Sequence, residues 1–236
     1  MAKIIDNISV FFPTYNEEGN IEETVLKAKK VLLDVAGNWE IIIVDDGSTD
    51  KTGEISAELT KKDKRIKVIT HQVNRGYGAA LQSGFYNAKY DWVVYNDSDG
   101  QFDFSEITKF ISEIDSANLL LGYRIKRSDS PYRLILTKGW AMCLFITFGL
   151  KLKDVDCGFK MVNKKVIEKI PKLESERGGM INAELAIKAK KYGFRIKQIG
   201  VNHYPRTKGL ATGAQLNVVV KSFIDLFKLW IKLNIG

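Results

Sequence analysis

Four polar clusters carry the chemistry of this 236-residue chain. They are Pro13-Thr14-Tyr15-Asn16-Glu17-Glu18, Asp45-Asp46-Gly47-Ser48-Thr49-Asp50, Asn74-Arg75-Gly76-Tyr77-Gly78 and Asn96-Asp97-Ser98-Asp99-Gly100-Gln101. Carboxylates brought together without cationic partners repel one another, so their convergence asks for a cation. Hard oxygen ligands one residue apart, as in Asp97 and Asp99, suit Mg²⁺ or Mn²⁺ that also takes substrate phosphate oxygens, and Gln101 adds a neutral oxygen. Singly, each cluster is ordinary turn chemistry, with Asp50 or Thr49 a natural helix cap. Together, in order and at regular spacing, they point to one site for a cation and a phosphorylated ligand.

Each cluster follows a short apolar run: Ile8 to Phe12, Glu40 to Val44, Ile66 to Ile69 and Trp92 to Tyr95, with Leu119 to Leu121 as a fifth. Between them lie segments of helical spacing such as Ile21, Val25, Ala28 and Leu32. Strands alternating with helices predict an α/β fold with a mainly parallel sheet flanked by helices. Ligands of such sheets bind beyond the carboxyl ends of the strands, where the four clusters stand. After Tyr123 the pattern loosens into a basic loop (Arg124, Lys126, Arg127, Arg133), an apolar stretch from Leu134 to Leu150, the run Asp154-Val155-Asp156-Cys157-Gly158-Phe159-Lys160, a helix near Ile181 to Tyr192, a strand near Arg195 to Val201 and a C-terminal helix. No repeat or linker divides these parts. We expect one domain over residues 1–213 and an amphipathic helix over 214–236.

The order Pro-Thr-Tyr-Asn-Glu, Val-Asp-Asp-Gly-Ser-Thr-Asp, Asn-Arg-Gly-Tyr-Gly and Asp-Ser-Asp-Gly-Gln is similar to that of the inverting family 2 glycosyltransferases with the GT-A fold. Within them it most resembles the polyprenyl-phosphate sugar transferases of the dolichol-phosphate mannose synthase type, over about residues 8 to 213. The resemblance implies a nucleoside-diphospho-sugar donor (GDP-mannose or UDP-glucose), a lipid phosphate acceptor and a divalent ion. It places Pro13, Tyr15, Glu17, Val44 and Asp46 around the nucleoside, and Asp97, Asp99 and Gln101 at the metal and diphosphate, with Ser98 beside them. Arg124 and Arg206 match arginines near the diphosphate and acceptor phosphate. His203 to Gly213 resembles a flexible arginine-containing loop, although the residues around Arg206 differ from the mannose synthase pattern.

Transfer leaves a diphosphate that needs electrostatic stabilisation by cations. A lipid phosphate is mostly dianionic at pH 7 and serves as its own nucleophile, with Arg124, Arg127 and Arg133 to bring it in. A hydroxyl acceptor would instead need a carboxylate base, for which Asp156 and Glu184 are the candidates. For the basic loop, a merely solvated role is the alternative. Glu184 could equally face solvent, and Asp156 could orient neighbours.

Composition narrows the classes further. At 45% hydrophobic and 27% charged residues, disorder, collagen and disulfide scaffolds are excluded, and two cysteines with no leader-like start suggest a cytoplasmic protein. The net charge of +8 divides into −7 for residues 1–118 and +15 for residues 119–236. The basic half suits a phosphate or an anionic membrane, whereas the intact acidic run argues against an idle nucleic-acid-binding module. The longest uncharged run, Gly139 to Leu150, makes only about 18 Å of helix, too short for a bilayer. The C-terminal helix pairs a lysine stripe (Lys221, Lys228, Lys232) with a broad apolar face, fitting an interfacial helix at the inner membrane surface, a membrane partner protein or a homodimer contact.

Overall fold

The computed structural model describes residues 4–126, 131–176, 178–206, 208 and 216–234, with side-chain detail for all but 131–136, 216–223 and 234. The strands are β1 (Ile5–Thr14), β2 (Ala36–Asp45), β3 (Ile66–Thr70), β4 (Trp92–Asn96), β5 (Leu119–Arg124), β6 (Phe159–Asn163) and β7 (Ile196–Val201). The helices are α1 (Ile21–Val35), α2 (Thr52–Lys62), α3 (Tyr77–Asn87), α4 (Ile107–Ile111), α5 (Pro131–Phe148), α6 (Lys164–Lys169), α7 (Met180–Lys191) and α8 (Leu216–Asn234). The strands form one sheet in the order β3-β2-β1-β4-β6-β5-β7.

All five of the strands expected in the first half are present, and they pair in parallel wherever they touch one another. The sequence pattern missed β6, which runs antiparallel between β4 and β5. Its physical disguise is Lys160, a fully buried lysine at the second position of a strand that reads Phe-Lys-Met-Val-Asn. Sequential connections run from β1 outward to β2 and β3, and β4 then begins the other side of the sheet. The order therefore reverses between β1 and β4, and a crevice opens at their carboxyl ends.

Strand alternation divides the core in two. Val10, Phe12, Ile41 and Ile43 pack with Ile21, Val25, Ala28 and Leu32 of α1 and with Ile107 and Phe110 of α4. Phe11, Ile42 and Val44 face the opposite layer, with Leu81 and Phe85 of α3, Trp140 and Leu144 of α5, Met180 and Leu185 of α7, and Leu226 and Leu229 of α8. Such double coverage explains why the central strands read as continuous apolar runs. Phe11 is the hinge of the second layer, lying edge-on to Phe85 with centroids 5.1 Å apart and stacked on Tyr95 at 5.6 Å.

Gly84 lets α3 approach the sheet this closely, since a Cβ there would lie 2.2 Å from the Phe11 ring. Gly84→Ala is therefore expected to destabilise the fold by about 1–3 kcal/mol through overpacking. Urea unfolding should show an earlier midpoint with an unchanged slope.

Candidate active site

At the crevice, β1 ends at Thr14 and β4 at Asn96, and the loops that follow are tied across the gap. The Ser98 hydroxyl donates to the Pro13 carbonyl at 2.9 Å, and Thr24 donates to the Ser98 carbonyl at 3.3 Å. Asp97 is the pivot. Its backbone N–H donates to the Gly158 carbonyl at 3.0 Å, and its Oδ1 accepts from the Tyr77 hydroxyl at 2.9 Å. The space for a Cβ on Gly158 is already filled by the Asp97 carboxylate, with Oδ2 only 1.8 Å away. One flank of the carboxylate is thus fixed by a tyrosine and the other by a glycine.

Burial, reinforced by the Asp99 charge, pushes the Asp97 carboxyl up to about 7, against smaller pulls from Tyr77, Lys160 and Arg124. Asp99 is also raised, mainly by burial and in part by Glu17. Such a pair stores electrostatic demand that a cation relieves. Arg206 meets part of it: its guanidinium pairs with Glu17 and reaches Asp99 Oδ2 at 3.8 Å. Its Nε also donates to the Lys208 carbonyl at 2.7 Å, while Lys208 donates to the Gly19 carbonyl at 3.0 Å. Gln101 is drawn the same way, donating from its side-chain amide to the Tyr204 carbonyl at 2.9 Å and accepting from Tyr204 N–H at 2.8 Å.

The donor set fits a hard divalent ion. Among the described residues, no three His, Cys, Asp or Glu side chains cluster as a complete cage. An ion held by Asp97 and Asp99 would draw its other ligands from phosphate oxygens, water and the Gln101 amide, which is how Mg²⁺ is ordinarily bound beside substrates.

The second cluster is a scaffold. Asp46 Oδ1 accepts from His71 Nδ1 at 2.6 Å and from Arg75 N–H at 3.0 Å, and Oδ2 accepts from Gly76 N–H at 2.7 Å. The other His71 nitrogen lies 2.8 Å from the Ser83 hydroxyl. This carboxylate shapes the loop that delivers Tyr77. Val44 has its side chain wholly in the core, which leaves only its backbone to face a ligand. Tyr15 is 39% exposed beside Asn16, whose φ of 55° turns the chain so that its side chain accepts from Thr49 N–H at 2.8 Å.

Of the other expected catalytic residues, Glu184 departs from the solvent-facing reading, while Arg124 and Asp156 keep the places expected from the sequence. Arg124 is clamped by buried Asp154, with Nε 2.6 Å from Oδ2 and Nη2 2.9 Å from Oδ1, so its guanidinium already has a carboxylate. Glu184 is 1% exposed, neither solvent-facing nor open to a substrate, and accepts from Glu174 N–H, Ser175 N–H and Lys188. Asp156 is exposed, with Oδ1 2.8 Å from where a Gly179 Cβ would lie at the start of α7. Arg127 lies outside the described residues, as does the side chain of Arg133.

Sequence reasoning gave no role to Lys160. It is fully buried and donates to the Tyr95 hydroxyl at 2.7 Å, to Asn182 Oδ1 at 3.1 Å and to the Cys157 carbonyl. It thereby ties the 157–158 turn, which abuts Asp97, to β4 and α7. Burial lowers its pKa. Tyr77 was visible only as part of its glycine-flanked motif.

A model of glycosyl transferase family 2 matches residues 9–171, and the chain belongs to that family. It is 33% identical over 224 residues to the dolichyl-phosphate beta-glucosyltransferase of Saccharomyces cerevisiae, covering 83% of this chain and 66% of that protein. It is 29% identical over 209 residues to the dodecaprenyl-phosphate galacturonate synthase of Rhizobium johnstonii, covering 86% and 61% respectively. The chain thus spans about two thirds or less of these relatives' lengths. The GT-A fold is shared with glucosyl-3-phosphoglycerate synthase of Mycobacterium tuberculosis, solved with Mn²⁺ and UDP-glucose, at a TM-score of 0.71 and 18% identity over 96% of this chain and 78% of that one.

The raised Asp97 fixes a pH dependence. Without a divalent ion the folded protein keeps this proton to about pH 7, whereas an unfolded aspartate loses it near about 4. Between those values the folded state binds more protons, so stability falls as pH rises. Thermal melts in chelator should show wild type losing stability from pH 5 to pH 8, and Asp97→Asn losing less.

Proposed function

We propose that this chain is an inverting, metal-dependent transferase moving a hexose, glucose or mannose, from a nucleoside-diphospho-sugar to a polyprenyl phosphate. The observation that carries the proposal is the Asp97 and Asp99 pair, raised by burial at the sheet's crevice and faced by Arg206. The relatives' names supply the acceptor class, since one is a dolichyl-phosphate and the other a dodecaprenyl-phosphate enzyme. Their sugars differ, and glucose or mannose is carried over from the sequence resemblance.

In this reading Tyr15 lies beside the base, Pro13, Glu17 and the Val44 backbone border the nucleoside, and Asp46 holds the 74–76 loop in place. Asp97, Asp99 and Gln101 hold Mg²⁺ or Mn²⁺, which when bound neutralises charge on the leaving diphosphate. Ser98 fixes the turn between the two carboxylates. Arg206 leaves Glu17 for the diphosphate when the donor arrives, exchanging one anion for another at little cost in desolvation. Arg127 and Arg133 draw in the acceptor phosphate, while Arg124, backed by Asp154, keeps a fixed positive charge at the end of β5.

A phosphate acceptor needs no base. The burial of Glu184 and its three hydrogen bonds support that choice over a hydroxyl acceptor, for which exposed Asp156 would be the remaining candidate. Purified protein should form product on a short polyprenyl phosphate from UDP-glucose or GDP-mannose only with Mg²⁺ or Mn²⁺. Asp99→Ala should lower turnover by about 10²-fold or more, as loss of preorganised electrostatic stabilisation does. Full activity in that variant, or transfer to a glycan hydroxyl with the lipid inert, overturns the proposal.

Access to a lipid is proposed through an interfacial surface at the inner membrane face. No helix among the described residues is long and apolar enough to cross a membrane. Instead α5 exposes Met142, Phe145 and Ile146, and α8 exposes Ile224, Phe227 and Ile231 next to Lys228 and Lys232. Apolar side chains rimmed by lysines suit an anionic bilayer surface. The protein is expected to float with phosphatidylglycerol vesicles and less with neutral ones, and Phe227→Asp with Ile231→Asp should abolish flotation. A dimer that dissociates in that double variant, with no vesicle binding by wild type, would assign the surface to a second copy.

A further inference from the structure

Glu184 and Lys188 form a buried ion pair on α7, each only 1% exposed, with Nζ 2.5 Å from Oε1. Burying two charges is costly unless every lone pair and proton is matched, and apolar residues of the same shape often serve stability as well or better. Here every further partner belongs to one short backbone segment. Glu184 Oε1 accepts from Glu174 N–H and Oε2 from Ser175 N–H, both at 2.9 Å, while Lys188 donates to the Lys172 carbonyl at 2.5 Å. The pair acts as a bracket for residues 172–176.

That segment is in turn the seat of the N-terminal half of α3. Gln82 donates to the Ser175 carbonyl at 3.2 Å, Ala79 N–H to the Glu176 carbonyl at 3.0 Å, and Arg75 to the Glu176 carboxylate at 2.6 Å. The approach is close enough that a Cβ on Gly78 would lie 2.1 Å from the Ser175 carbonyl oxygen. The first residue of α3 is Tyr77, whose hydroxyl donates to Asp97 Oδ1 at 2.9 Å. Each step is a direct contact, and none includes solvent-exposed slack at Glu184.

We infer that Glu184 is a positioning residue that sets the Asp97 carboxylate through residues 172–176 and Tyr77, and is not a general base. The inference rests on the reading of Asp97 as a ligand of the divalent ion. A neutral amide at 184 has one accepting oxygen where the carboxylate has two. It therefore leaves one of the two segment N–H groups facing another donor and removes the negative charge that pairs with Lys188. The segment then relaxes, and Tyr77 no longer holds Asp97 in its ion-binding orientation.

Mn²⁺ and UDP serve as probes, with free Mn²⁺ followed by electron paramagnetic resonance at saturating UDP and folding verified by circular dichroism. Glu184→Gln should bind Mn²⁺ roughly tenfold more weakly, the loss typical of an outer partner of a ligand. Tyr77→Phe should show a similar loss, and the double variant should be no weaker than Tyr77→Phe alone. Gly78→Ala, which presses on the segment from the α3 side and leaves Glu184 intact, should weaken binding likewise and should also add nothing to Tyr77→Phe. Wild-type Mn²⁺ affinity in Glu184→Gln, with or without a fall in turnover, overturns the inference, as does a loss that adds fully to that of Tyr77→Phe. Asp97→Asn separates the two readings. If it keeps wild-type Mn²⁺ affinity, the ion-ligand reading of Asp97 fails first and takes the inference with it; if it loses Mn²⁺ while Glu184→Gln does not, only the inference fails.

Discussion

Two carboxylates one residue apart, at the end of a buried strand, repel each other and cannot both ionise without help. Much of the architecture around them answers that constraint. Burial and mutual repulsion push both toward the protonated state. Tyr77 donates to one, the Gln101 backbone to the other, and Arg206 approaches from the far side of the crevice. With all of these partners in place both carboxyls still stand above the ordinary aspartate value. The balance resembles that of metal sites generally, in which ligands are oriented by partners that themselves never touch the metal.

Buried polar groups also gather on β6 and α7, next to the site. Lys160 pulls the Asp97 carboxyl down somewhat, yet its own direct partners are a phenol, an amide and a carbonyl. Asn182, Glu184 and Lys188 all stand on α7 and are all buried. A helix with three buried polar side chains is poorly suited to be a simple packing element. Asn182 ties it through Lys160 to the 157–158 turn that abuts Asp97, and Glu184 and Lys188 tie it to the 172–176 segment that seats α3.

Much of this was legible in the sequence, and the reasons for the gaps are specific. β1, β2 and β4 could be read because covered strands carry near-continuous apolar runs, β3 because Ile66, Val68 and Ile69 are β-branched, and the clusters at their ends could be placed by the rule that ligands bind at carboxyl ends. β6 could not: its lysine, unlike the exposed Lys67 of β3, is fully buried, and only the tertiary network of Tyr95 and Asn182 makes that acceptable. Glu184 defeated prediction for a related reason. On a helix a glutamate between Ala183 and Leu185 reads as solvent-facing or as a reactive carboxylate, and neither pattern nor spacing reveals that two backbone N–H groups from residues ten and nine positions earlier will claim it. Arg124 was placed at the correct strand end, but its bidentate partner thirty residues on is a long-range fact.

These fixed partners bear on which acceptor the site suits. General-base catalysis needs a carboxylate with an open lone pair, a path to solvent or substrate and freedom to change charge. Glu184 is 1% exposed, with its oxygens already engaged by Glu174 N–H, Ser175 N–H and Lys188, and Arg124 is likewise held with its charge already matched by Asp154. A site so furnished offers preorganised charge and little proton-transfer machinery. That is a poor match for activating a neutral hydroxyl and a good one for an acceptor that arrives as an anion, where the difficulty is to bring two phosphates together and the nucleophile needs no deprotonation. The electrostatic division of the chain runs the same way, with a net −7 in residues 1–118, where the paired carboxylates stand, and +15 in residues 119–236.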